Sequence, residues 1–135
     1  MLKPFETGRL GAKPDATAPD GTAVRLLLGL EGGGMAHFEL PAGAVSHAVT
    51  HRTVEEIWYV ISGRGTLWRR SEAGEDMEAL APGVSVTIPL GTEFQFRADD
   101  CGPLAFVAIT TPPWPGKDEA VAVEGPWEPT VPAGT

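Results

Sequence analysis

Residues 41–63 read PAGAVSHAVTHRTVEEIWYVISG, and this stretch sets the architecture of the chain. It opens on a Pro-Ala-Gly turn and carries His47, Val49 and His51 at alternating positions. Alternation with period 2 marks a strand with two different faces. After a short break come Glu55 and Glu56. The β-branched and aromatic run Ile57–Ile61 then makes a second strand, which Ser62-Gly63 turns.

The same rhythm continues on both sides. Upstream, Val24–Leu30 is a strand, Glu31-Gly32-Gly33-Gly34 a hairpin turn and Met35–Leu40 the returning strand, with His37 on the face of Met35 and Glu39. Downstream, strands are expected at Thr66–Arg70, Met77–Leu80, Val84–Ile88, Glu93–Ala98 and Leu104–Thr110, divided by polar or Gly/Pro turns. Within Glu93–Ala98, Phe94 and Phe96 share one face, while Glu93, Gln95 and Arg97 share the other. About nine or ten short strands, with no helical period before residue 116, predict an all-β sandwich or barrel.

The ends differ from the middle. Residues 1–22 are turn-rich and read as an N-terminal arm with one short edge strand near Phe5. Residues 23–111 form the barrel. Residues 112–135 form a Pro-rich C-terminal extension in which Lys117–Val123 makes a short helix or strand. Trp114 and Trp127 are expected to anchor this extension, because an exposed indole leaves much apolar area in water. The last few residues are expected to lack fixed structure.

Composition bounds the function. The 135 residues, 42 % of them hydrophobic, suffice for one domain with a core. A net charge of −8 and a pI near 4.7 argue against non-specific binding to nucleic acid or anionic membranes, which needs clustered Lys and Arg. No apolar run approaches the roughly 18 residues of a membrane helix. MLKPFETGRL shows no apolar signal core, and the single Cys101 permits no intrachain disulfide; both fit a cytoplasmic protein. Cys101 itself reads as a buried or loop thiol rather than a nucleophile.

Two spaced motifs resemble those of the cupin superfamily. The first cupin motif runs Gly, five residues, His-x-His, three or four residues, Glu, six residues, Gly. Here it is Gly43, then Val49-Thr50-His51, Glu56 and Gly63. The second runs Gly, five residues, Pro-x-Gly, two residues, His, three residues, Asn. Here it is Gly83, then Pro89-Leu90-Gly91, Phe94 and Ala98. The resemblance spans about residues 24–111. It implies a small antiparallel jelly-roll barrel, usually homodimeric, with a pocket in its mouth.

The departures bear on chemistry. Metal-holding cupins use three His and one Glu, and of those four positions only His51 and Glu56 are kept here. Val49 and Phe94 have no lone pair to offer a metal. This incomplete set points to a barrel without a resident metal. The alternative is a divalent transition metal held by His51, Glu56 and a third ligand, His47 or His37. His47 shares the inward parity of His51 but stands four residues away, roughly 13 Å along a straight strand. It could converge on His51 only through a bulge or turn.

Carried through the resemblance, the parity turns His47, Val49, His51, Glu56, Trp58, Val60, Phe94 and Phe96 inward. It turns Ile57, Tyr59 and Ile61 outward. An aromatic, apolar pocket with one His and one Glu suits a small organic molecule with a flat face and one or two polar groups. His47, Val49, Trp58, Phe94 and Phe96 are its expected binding residues. His51 beside Glu56 is the expected acid–base pair, since a carboxylate can fix the tautomer of an imidazole and support its cation. Three readings follow. One is a small-molecule-binding cupin with isomerase or lyase chemistry. The second is a metal-dependent dioxygenase or isomerase. The third is a non-enzymatic binding or regulatory module whose site is filled by Val49 and Phe94.

Overall fold

The period-2 patterns form strands, and across residues 55–61 and 85–88 burial alternates from one residue to the next. In the computed structural model, which describes residues 3–116 and 118–135, eleven strands are present. They are β1 (Ala16–Thr17), β2 (Ala23–Leu30), β3 (Gly33–Leu40), β4 (Val49–His51), β5 (Glu55–Ser62) and β6 (Gly65–Ser71). β7 (Gly74–Leu80), β8 (Ser85–Ile88), β9 (Glu93–Ala98), β10 (Leu104–Thr111) and β11 (Ala120–Ala122) complete the set. β5 shows the principle. Glu56, Trp58 and Val60 are buried, while Ile57, Tyr59 and Ile61 between them are exposed.

All pairings are antiparallel. They build a six-stranded sheet ordered β1-β2-β3-β10-β5-β8 and a five-stranded sheet ordered β11-β4-β9-β6-β7. The two sheets close face to face as a jelly roll around one apolar core. Trp58 of the first sheet lies at the centre. It stacks on Phe106 at 4.0 Å between ring centroids and meets Phe94 and Phe96 of the second sheet edge-on at 5.7 and 5.1 Å. Edge-to-face and stacked aromatic pairs of this kind add about 0.5–1.5 kcal/mol each beyond the area they bury.

Turn glycines hold the frame. Gly63 ends β5 with φ +79°, and a Cβ there would run into the carbonyl of Pro103. Any other residue would incur both left-handed strain and a clash.

The short strands at the ends were located less well by sequence. No strand forms near Phe5, which is fully exposed; the arm instead pairs at Ala16–Thr17 with β2. Of the Lys117–Val123 segment, Lys117 lies outside the described residues, and Ala120–Ala122 pairs with β4 as a strand. The final residues are tied down: Thr130 N–H donates to the Val45 carbonyl and Gly134 N–H to that of Ala18. Trp127 is held by Gln95, whose amide bonds both its N–H and its carbonyl, and Arg97 lies 4.4 Å over its ring. Gln95 therefore faces away from the barrel interior yet is fully buried, because the extension covers it.

On the outer face of the six-stranded sheet, Met35, Ile109 and Ile57 stand in register across β3, β10 and β5. His37, Val107 and Tyr59 form the next row. Cys101 is an exposed loop thiol. No helix among the described residues is long and apolar enough to cross a membrane.

Candidate ligand-binding site

A cavity of about 340 Å³ opens between the sheets at one end of the barrel. β5 contributes Glu56 and Trp58, β4 His51, β9 Phe94, β10 Phe106, and β3 Ala36 and Phe38. The arm contributes residues 16–20, and Trp114 of the extension stands beside His51. The ionisable side chains on its wall are Asp20, His51 and Glu56.

Glu56 is buried, and its Oε1 accepts the indole N–H of Trp58 at 2.8 Å. Burial pushes its pKa up to about 7; the Trp58 hydrogen bond pulls the other way, and the Asp20 carboxylate nearby adds to the rise. Asp20 is buried too. Its Oδ1 accepts the N–H and hydroxyl of Thr22 at 3.0 and 2.7 Å. Burial raises its pKa, against those two bonds and the charge of His47.

His51 is wedged edge-on between Phe94 and Trp114, with ring centroids 5.3 and 5.1 Å away. Its Nδ1 is buried without a hydrogen-bond partner among the described residues. Burial lowers its pKa to about 4, only partly offset by Glu119, so the imidazole is neutral at pH 7. Glu119 accepts the N–H groups of Thr53 and Val54 and the Thr53 hydroxyl, fixing the turn after His51. Burial raises the Glu119 pKa, but these bonds and His51 outweigh it and hold the group below its ordinary value.

The expected residues separate into two groups. His51, Glu56, Trp58 and Phe94 lie on the cavity wall. Val49 and Phe96 are buried in the core and do not line it. His47 is not brought to His51: residues 46–48 form no strand, which breaks the parity count, and His47 Nε2 donates to the Val131 carbonyl at 2.6 Å. His51 and Glu56, expected as an acid–base pair, share the cavity but make no hydrogen bond to each other. Glu56 Oε1 serves Trp58, and the carboxylate that acts on His51 is Glu119.

A resident metal is not supported by the donor set. Among the described residues no three His, Cys, Asp or Glu side chains converge as a metal-holding group. Val49 and Phe94, paired directly across β4 and β9, occupy two of the ligand positions of the motif with hydrocarbon.

Asp20, Phe106, Trp114 and Glu119 were missed by sequence reasoning. Only Asp20 carried a local signal: Asp20-Gly21-Thr22 is the pattern of a turn in which Asp takes the N–H two residues on.

Residues 36–110, more than half of the chain, match the family described as Cupin domain. The chain therefore belongs to the cupin family. Among solved structures it is similar to BH2720 from Bacillus halodurans, at 20 % identity and TM-score 0.62 over 74 % of each chain. It also resembles KdgF from a Halomonas species, at 17 % identity and TM-score 0.60 over 68 % of this chain and 81 % of that one. Oxalate decarboxylase from Bacillus subtilis shares 16 % identity at TM-score 0.72 over 85 % of this chain, which spans only 31 % of the decarboxylase. No curated protein matches the chain. At these identities the likeness carries the fold alone.

Proposed function

We propose that this cupin binds a small organic molecule in the barrel mouth and exchanges a proton with it through Glu56, in chemistry of the isomerase or lyase class. The observation that carries the reading is one cavity of about 340 Å³ whose aromatic walls hold three titratable groups, Asp20, His51 and Glu56, with no metal-ligand set among the described residues. A proton-transfer group works best with a pKa near the working pH, and Glu56, held near 7, meets that condition. His51, neutral and with an unpaired Nδ1, offers a hydrogen bond rather than a charge.

Phe94 walls an open cavity instead of filling it, which argues against the module with a blocked site. The likeness to oxalate decarboxylase does not extend to oxalate in this reading. Among the described residues no Lys or Arg lines the cavity to neutralise a dianion.

The test is a screen of small organic molecules for thermal stabilisation, run on the parent and on Ala36→Trp, which places bulk on the cavity wall. Ligands of this site stabilise the parent and lose their effect in the variant. A screen whose hits act equally on both proteins places the binding elsewhere and ends the proposal.

We also propose that two copies pair through the outer face of the six-stranded sheet. Its in-register rows, Met35, Ile109 and Ile57, then His37, Val107 and Tyr59, put the exposed side chains of Met35, Ile57, Tyr59 and Ile109 on one face, an apolar patch of the kind that pairs two copies.

A further inference from the structure

The polarity of the cavity is one-sided. Two carboxyl side chains face it, Asp20 from the arm and Glu56 from β5, and no Lys or Arg among the described residues does. Each has only one oxygen in a hydrogen bond among the described residues: Glu56 Oε1 with Trp58, and Asp20 Oδ1 with Thr22. Two arginines of flanking strands and turns have partners of their own. Arg25 pairs with Glu39 at 3.2 Å, and Arg52 donates to the Asp118 carbonyl. Carboxylates withdrawn from water without a cation are costly, and a bound positive charge relieves that cost.

The remaining wall is built for the other half of such a ligand. Trp58, Phe94, Phe106 and Trp114 present rings to the cavity. An aromatic ring attracts a cation lying over its face, by about 0.5–2 kcal/mol depending on desolvation. His51 stands edge-on to Phe94 and Trp114, and its buried Nδ1, without a hydrogen-bond partner among the described residues, adds one neutral hydrogen bond. An inorganic cation is a poor fit, because it needs several converging donors and none are grouped among the described residues. An anion would meet two carboxyl groups and, among the described residues, no Lys or Arg.

We propose that the ligand of this cavity is an organic ammonium: a molecule with a positively charged amine directed at Glu56 and Asp20 and an apolar or flat body against the aromatic walls. This rests on the small-molecule reading above and narrows its substrate class.

The experiment uses three probes of one shape and different charge: benzylamine, benzyl alcohol and benzoate. Binding to the full chain is followed at moderate ionic strength by the NMR signal of the Trp58 indole N–H, which reports the cavity and not the acidic surface. Benzylamine is expected to shift that signal with an affinity about tenfold or more above that of benzyl alcohol, and benzoate to leave it unmoved. Glu56→Gln keeps an acceptor for the indole N–H and is expected to bring the amine-to-alcohol ratio close to one. Asp20→Asn, measured in parallel, is expected to lower the same ratio. If benzyl alcohol or benzoate binds as well as benzylamine, the charge inference is overturned while the small-molecule reading stands. If none of the three moves the Trp58 signal at millimolar concentration, both are overturned.

Discussion

The indole N–H of Trp58 donates to Oε1 of Glu56 at 2.8 Å, from two positions further along the same strand. The largest ring of the core thereby orients the one carboxyl group that β5 sends into the cavity. The core and the site meet in this pair, so their energetics can be separated only by choosing substitutions on either side of it.

Glu56 and His51 should give the protein opposite pH dependences. Glu56 titrates near pH 7 when folded against 4.5 ordinarily. The folded state therefore holds its proton longer, and the contribution of Glu56 to stability is full below pH 4.5 and lost as pH rises through 7, in all roughly 3 kcal/mol. His51 titrates near pH 4 against 6.5. Its contribution is full above pH 6.5 and lost as pH falls through 4. Between about pH 4.5 and 6.5 the two slopes oppose each other in the parent. Urea unfolding from about pH 4 to about pH 8 should show the parent losing roughly 3 kcal/mol relative to Glu56→Gln as pH rises. A difference that stays constant with pH means that Glu56 is not a buried, unpaired carboxyl.

Phe96 tests the division between core and cavity. It is fully buried, touches Trp58 and Phe106, and does not line the cavity. Phe96→Ala should cost about 3–5 kcal/mol of stability. Phe96→Leu, which stays folded, should leave ligand affinity within about twofold of the parent. A large affinity loss in the Leu variant would put Phe96 back among the binding residues.

Metal content follows from the donor set. The parent, purified without chelator or His tag, is expected to carry no stoichiometric iron, manganese, nickel, copper or zinc by elemental analysis. Val49→His with Phe94→His adds two imidazoles at directly paired positions on β4 and β9 and should create uptake of about one equivalent. One equivalent in the parent, lost in His51→Ala, would reinstate the metal-dependent reading.

The outer sheet face gives a test of assembly. Sedimentation should find the parent as a dimer, and the exposed-face change Tyr59→Glu, with Ile57→Glu as its companion, should yield folded monomers. Unchanged sedimentation of both variants would move the interface elsewhere.

Much of the barrel was legible because its signals are local. The alternation in β5 and β8 sets which side chains are buried, and Gly63 marks a turn that no other residue could make. The cavity was legible only where strands supply it: His51, Glu56, Trp58 and Phe94 follow from parity. His47 did not, because residues 46–48 leave the strand conformation and parity has no meaning there. Asp20 and Trp114 lie in irregular segments whose path is decided by distant contacts. Nothing near Asp20 in sequence announces that it will sit beside Glu56. Gln95 shows the converse: its direction followed from alternation, but its burial depends on Trp127, 32 positions away.

The cavity thus draws one acid from the barrel and one from a strap outside it. Gly134 and Ala18 are hydrogen-bonded, so the strap is buckled to the far end of the chain. Selectivity housed in such a strap is modular. Under the proposed function, changes at residues 18–20, beyond β1, would alter which molecules are admitted while the strands keep their register.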